Sequence, residues 1–209
     1  MQQQISLKLP TKKRLWQQVV KRKITEQANT LRNLDKTYKP LERLAENVKA
    51  GDPENLEGQA AQKYWKLLFG NAFRRDVELD GINSLLNYGY SIMRAMVASS
   101  IVGSGLHPTI GLHHRNQYNG LCLADDLMEP FRPWVDFKVY QMAQSNPQLQ
   151  VNKESKIPLL NLLSETVLWD KQNMPLMVAC HYMLANLKRA YEDSAIMLDY
   201  PKIVNQRQP

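Results

Sequence analysis

Three ionisable residues sit where a helical core would not place them. Glu57 stands three, four and seven positions before Ala60, Ala61 and Tyr64, so a helix carries its carboxylate on the face those residues use for packing. Burying an unpaired carboxylate is costly unless a cation or a proton relieves it. Glu129 closes the run Ala124-Asp125-Asp126-Leu127-Met128-Glu129, with Asp126 and Asp125 three and four positions before it on the same side of a helix. Like charges so placed repel one another, and a bound cation reverses that penalty. The pair His113-His114 lies between these acids, with His114 fifteen positions before Glu129. Two carboxylates and one imidazole form a mixed oxygen–nitrogen set that suits Mg²⁺ or Mn²⁺, with open positions for water and phosphate oxygens. The set lacks the thiolates or multiple histidines of most zinc sites. The same residues also admit a plain reading. Glu57 is one turn into its helix and can reach solvent, Asp125 and Asp126 can be N-caps, and adjacent loop histidines can be inert. Spacing leaves both readings open.

The elements that must position these groups read as helices nearly throughout. The first runs from about Lys12 to Asn33, with Leu15, Val19, Ile24, Ala28 and Leu31 on one side and Lys12, Lys13, Arg14, Lys21, Arg22 and Lys23 on the others. A shorter helix carries Leu41, Leu44, Ala45 and Val48 and stops at Gly51. Asp52-Pro53-Glu54 is a helix-start signal, with Asp as N-cap and Pro in the first turn, for a helix through Tyr64 to Gly70. Arg74 to Gly81 reads as a loop, Asn83 to Val102 as a helix, and the stretch broken by Gly103, Gly105 and Pro108 as a loop reaching Gly120. Short helices over Leu121–Pro130 and Trp134–Met142 follow. Ser145 to Pro158 reads as a polar surface excursion. Helices at about Leu159–Leu168 and Leu176–Tyr191 then close an all-α, helical-bundle-like fold without strand alternation or internal repeats. The expected organisation is a basic linker helix over 1–40, an all-α metal-dependent catalytic domain over 41–200 and a frayed tail over 201–209.

Bulk properties narrow the function. The 209 residues carry a formal net charge of +7, which favours polyanionic partners because each Lys or Arg on a phosphate releases condensed counterions. No apolar run has the length of a membrane span, and Met1-Gln2-Gln3-Gln4 does not open a signal peptide. Cys122 and Cys180 form no CxxC pair, so neither a disulfide framework nor a zinc knuckle is indicated, and the expected compartment is the reducing cytoplasm. There is no P-loop, no GxGxxG and no nucleophile elbow, which removes the common small-molecule enzyme classes.

Taken in order, several segments resemble a known family. They are Leu56-Glu57-Gly58 with Ala60-Ala61 and Tyr64-Trp65, then Asn83-Ser84-Leu85-Leu86-Asn87-Tyr88-Gly89-Tyr90. Gly105-Leu106-His107-Pro108, Gly111-Leu112-His113-His114 and Asp126-Leu127-Met128-Glu129-Pro130-Phe131-Arg132-Pro133 continue the match. Their wording resembles the CRISPR-associated spacer-acquisition integrases, most nearly those of systems with single-protein effectors, from near Lys12 past Arg132. The resemblance implies a prokaryotic, cytoplasmic, all-α catalytic domain of antiviral defence. It implies a metal, Mg²⁺ or Mn²⁺, held by Glu57, His114 and Glu129, with Asp126 as an auxiliary ligand or supporting group. His113 remains a one-residue alternative to His114. The implied reaction is transesterification, in which the 3′-hydroxyl of a short double-stranded DNA fragment attacks a phosphodiester at a CRISPR repeat. Arg115 and Arg132 flank the proposed ligands and suit phosphate oxygens, although an ion pair within its own motif serves Arg132 as well. Lys12, Lys13, Arg14, Lys21 and Lys23 form an expected backbone-binding stripe, or a solvated helix face. Asn87 and Tyr88 are expected near the active site.

The family's usual N-terminal β-rich domain is expected to be absent here. Homo-oligomerisation by the family's route and docking of its small second adaptation protein are therefore open expectations. Two other classes fit the same residues: a non-catalytic DNA-binding or scaffold module, and a hydrolytic nuclease acting on branched DNA.

Overall fold

The structure, a computed structural model, describes residues 2–146 and 148–204. After a short helix α1 (Gln2–Ile5), the long helix α2 (Leu9–Asn33) begins with Pro10 in its first turn, where a missing N–H has no intrahelical partner to lose. Leu15, Val19, Ile24, Ala28 and Leu31 are fully or almost fully buried, so the 3.6-residue period correctly picks the inward face. Helices α3 (Lys39–Asn47) and α4 (Leu56–Phe69) pack against α2. The second long helix, α5 (Ile82–Gly103), packs against α6 (Cys122–Met128), α7 (Arg132–Ser145), α8 (Lys153–Asn161) and α9 (Leu176–Glu192). A 3-10 turn, Glu129–Phe131, joins α6 to α7 and lies on α2. Gly89 of α5 has no room for a side chain, because an added Cβ would run into Val135 of α7. That close approach locks the two layers of helices together.

The architecture is all-helical apart from one small sheet, and three expected boundaries move. The helix expected to start at Asp52 starts at Leu56, with Asn55 as N-cap in the left-handed region (φ 51°) and its side chain accepting from Gly58 N. Asp52 still serves the helix start, since its carboxylate accepts from Leu56 N at 2.9 Å and Glu57 N at 3.0 Å. The expected excursion over Ser145–Pro158 contains most of α8, which opens with a reciprocal capping box between Asn152 and Ser155. Pro147, inside that segment, lies outside the described residues.

Of the helix expected over Leu159–Leu168, only Leu159–Asn161 is α-helical, as the end of α8. A 3-10 turn at Leu162–Ser164 ends in strand β1 (Thr166–Trp169), paired antiparallel with β2 (Gln172–Pro175). The two residues between them, Asp170 and Lys171, both take positive φ, as a two-residue hairpin of this twist requires. β3 (Lys202–Ile203) adds to the other side of β1, giving the order β2-β1-β3. Lys202–Ile203 of the tail expected to fray are thus held in a sheet, while 205–209 of the expected tail lie outside the described residues. No helix among the described residues is long and apolar enough to cross a membrane.

Candidate functional site

One face of α2 lines the site. Lys12, Trp16 and Lys23 follow at spacings of four and seven and so share that face. Trp16 is buried, and its ring stacks on His113 with centroids 4.4 Å apart and planes 6° from parallel, while His114 meets its edge. About two turns further, the Lys23 ammonium lies 2.6 Å from Glu57 Oε1 and 2.5 Å from Glu129 Oε2. Glu57 comes from the first turn of α4 and Glu129 from the 3-10 turn after α6, so two carboxylates distant in sequence meet on one cation. The run of cations predicts Lys23 on a DNA-binding stripe or a solvated helix face. The structure turns it inward, with its side chain 12% exposed.

Glu129 is almost buried. Burial pushes its carboxyl up, but Lys23 and Arg132 more than offset this and hold it below the usual carboxylate range. Arg132 Nε donates to Glu129 Oε1 at 2.9 Å, and its guanidinium lies over the Tyr90 ring, 4.5 Å from the centroid. Of the two readings of Arg132, the ion pair within its own motif is the one formed. Glu129 Oε2 is inaccessible to solvent, and its partner is the Lys23 ammonium.

His114 is positioned by Asp126, which is fully buried. Asp126 Oδ2 accepts from Leu112 N at 2.6 Å and His113 N at 2.9 Å. Its Oδ1 accepts from His114 N at 3.3 Å and lies 2.6 Å from His114 Nδ1. One carboxylate therefore ties down the whole 112–114 turn. Gly111 is required there, because an added Cβ would fall 2.5 Å from His114 O and 2.9 Å from Asp126 Oδ2. The hydrogen bond to Asp126 raises the His114 pKa, burial opposes it, and the charges of Asp126, Glu129 and Glu57 add to the rise. With Nδ1 engaged, Nε2 is the nitrogen left for a ligand or a proton.

The remaining expected residues divide. Lys13, Lys21 and Arg115 are exposed and Lys12 is half-buried. Among the described residues, none of these four forms an ion pair. Burial lowers the Lys12 pKa and the nearby Arg115 charge lowers it further. Arg14 is engaged elsewhere, donating to Ala190 O in the last turn of α9 and to Ile196 O beyond it. Asn87 accepts from Arg75 and donates to Val77 O, fixing the 70–81 loop. Tyr88 stacks under Lys156 of α8. Neither contact reaches the carboxylate pair. Beside the site, Arg94 Nε donates to Asp125 Oδ1 at 2.6 Å, and Asn119 donates to Asp125 Oδ2, so Asp125 is a brace for the loop before α6.

Among the described residues, no three His, Cys, Asp or Glu side chains stand in a common ligating shell. The donors nonetheless fit a divalent cation. Two carboxylates converge on a single positive charge, and an imidazole with a free Nε2 carries their potential. The Lys23 ammonium occupies the place such an ion would neutralise.

The sequence profile of CRISPR associated protein Cas1 matches residues 1–157. The chain belongs to the Cas1 family. A protein described as CRISPR-associated endonuclease Cas1 from Neisseria meningitidis is 34% identical over 205 residues, covering 96% of this chain and 67% of that protein. A second Cas1 endonuclease, from Saccharolobus solfataricus, is 32% identical over 145 residues, covering 59% of this chain and 41% of its own length. Among solved structures, a Cas1 protein from Thermotoga maritima superposes with a TM-score of 0.76 at 20% identity, over 91% of this chain and 69% of that one. A casposase bound to its integration product gives a TM-score of 0.76 at 20% identity over 92% and 68%. These superpositions establish the fold. This chain spans about two thirds of the Neisseria relative it matches.

Proposed function

We propose that this Cas1-family chain is a divalent-metal-dependent DNA strand transferase and endonuclease of CRISPR adaptation, joining 3′-hydroxyl ends of short duplexes to repeat phosphodiesters. The observation that carries the reading is the convergence of Glu57 and Glu129 on one cation beside His114. Glu57, Glu129 and His114 Nε2 would hold Mg²⁺ or Mn²⁺, and the ion would supply Lewis acidity to a phosphate oxygen. The chain's own residues do the rest. Asp126 holds the His114 ring in one orientation, Arg132 restrains the Glu129 carboxylate, and Trp16 backs the histidine pair. Lys12 and Arg115, without carboxylate partners among the described residues, bind backbone phosphate next to the reacting linkage, and Lys13 and Lys21 extend the contact without reading sequence. A chain acting on a CRISPR array works in a prokaryotic cytoplasm. A second copy of the chain and the small second adaptation protein are the proposed partners.

The test is strand transfer of fluorescent short duplexes into supercoiled plasmid with Mg²⁺ or Mn²⁺. Glu57→Ala and His114→Ala are expected to abolish joining while leaving duplex binding within about twofold, since neither is a phosphate-gripping cation. Joining at the wild-type rate by either variant would remove the assignment. The ratio of joined to nicked product separates strand transfer from hydrolysis. One observation favours a second reading, a non-catalytic DNA-binding scaffold: Lys23 already neutralises the carboxylate pair. A scaffold would bind DNA equally in EDTA and never join or cut it.

A further inference from the structure

The short helix α1 docks through a polar residue. Gln3 and Ile5 on it are exposed, whereas Gln4 is 2% exposed. A buried amide is tolerated where its donors and its acceptor are all met. Those of Gln4 are met on one stretch of backbone. Its Nε2 donates to His107 O at 2.8 Å and to Ile110 O at 3.0 Å, and its Oε1 accepts from His107 N at 2.8 Å. Among the described residues, His107 N and Ile110 O have no other hydrogen-bond partner. One side chain therefore satisfies a loop that lies 103 positions away in sequence.

That loop runs directly into the turn that carries the histidines. Only Gly111 and Leu112 separate Ile110 from His113 and His114. Leu112 is buried, and Gly111 is packed too closely against His114 O and Asp126 Oδ2 to shift by itself. Asp126 holds the amides of 112–114, and Gln4 holds the backbone just ahead of them. α1 is fastened in turn to α9, where Gln3 Nε2 donates to Glu192 Oε1 at 2.9 Å, and Leu7 behind it packs on the core.

We infer that Gln4 is a positioning residue for His114, so that the segment ahead of α2 is coupled to the site and displacing α1 releases the histidine turn. The inference rests on the metal reading of His114 only for its effect on chemistry, and its structural readout needs no metal.

The test is Gln4→Met, which keeps the length of the side chain and removes its amide. Amide hydrogen exchange in EDTA is expected to quicken about tenfold at Leu112, His113 and His114, the factor one lost buried hydrogen bond allows, and to stay unchanged along α5. Mn²⁺ affinity is expected to fall about tenfold, the low end for losing support behind a ligand, while duplex affinity stays within about twofold. Gln4→Asn, one methylene shorter, is the milder variant and is expected to quicken the same three amides less. Gln3→Ala cuts only the bond to Glu192 and is expected to leave them as in the wild type. Unchanged exchange at 112–114 in Gln4→Met overturns the inference. Equal quickening along α5 also overturns it, because that marks general loosening, as does an equal effect of Gln3→Ala, which marks the docking of α1 at large. Should His114→Ala bind Mn²⁺ like the wild type, the metal reading falls, and quickening confined to 112–114 still upholds the Gln4 clasp.

Discussion

Replacing Asp126 by asparagine isolates what the buried carboxylate does for His114. The side chains are isosteric, but asparagine offers one accepting oxygen and one donating amide where aspartate offers two acceptors. The Oδ2 position faces two backbone donors, Leu112 N at 2.6 Å and His113 N at 2.9 Å, so the asparagine oxygen must go there. Its amide nitrogen then faces His114 N, with which it cannot bond, and His114 Nδ1, which must switch from donor to acceptor. The imidazole proton moves to Nε2, the position reserved for a ligand. Two charge-assisted bonds are weakened and one is lost, a cost of about 2–4 kcal/mol, which a domain of this size survives. Divalent-metal affinity is expected to fall about 10–100-fold, the usual consequence of losing a ligand's hydrogen-bond partner. Long-range ¹H–¹⁵N spectra of histidine-labelled protein in EDTA report the tautomer, and Mn²⁺ titration reports the affinity. If His114 keeps its Nδ1 proton in Asp126→Asn, or if Mn²⁺ binds as in the wild type, the positioning argument is refuted.

Two further outcomes test the charge design. Lys23→Met strands Glu57 and Glu129 without a counter-charge and is expected to cost about 3 kcal/mol in EDTA; Mn²⁺ should then raise its melting temperature more than it raises the wild type's, and equal shifts would separate the carboxylates from any metal. Asp136, buried and accepting from Tyr90, has its pKa pushed up to about 7 by burial. Raised above its unfolded value of 3.8, it lets the unfolded chain release its proton first, so stability is full below about pH 4 and is lost as the pH rises through 7. Urea unfolding at pH 5 and 8 is expected to show a drop about 3 kcal/mol larger in the wild type than in Asp136→Asn, and parallel behaviour of the two would contradict it.

Hydrophobic period was enough to place α2, α5 and α9 to within a few residues, because each buries a continuous stripe. It was not enough for Thr166–Trp169. Val167 and Leu168 continue an apolar run that reads as helical, and only the positive φ of Asp170 and Lys171, which Asp tolerates but Lys gives no sign of, turns the chain into a hairpin. Asp52 gave the α4 start its carboxylate but not its boundary, since Asn55 also caps and sits nearer. In the site, the carboxylates and the histidine pair stood out as charges against an apolar pattern. Lys23 did not, because it lies in a run of cations and was read with them. The signal existed: Lys12, Trp16 and Lys23 keep helical spacing, and a tryptophan on that face marks it as one that meets other parts of the chain. Asp126 was visible as a charge, while its grip on three backbone amides depends on a loop path that spacing cannot give.

The inner charges explain why the fold tolerates such a cluster. Glu57, Glu129 and Asp126 bring three negative charges, and Lys23 and Arg132 return two positive ones, with half-exposed His114 able to add another. The folded chain is thus near neutrality at its centre, and its stability need not depend on an ion. While His114 is neutral, however, that centre keeps more negative than positive charge and repels phosphate, and the exposed cation Arg115 stands only at its rim. Under the proposed reading a divalent ion reverses the sign at the one point where the scissile phosphate must sit. DNA held by the rim would therefore stay unreacted until that reversal, and binding and chemistry would show different metal requirements.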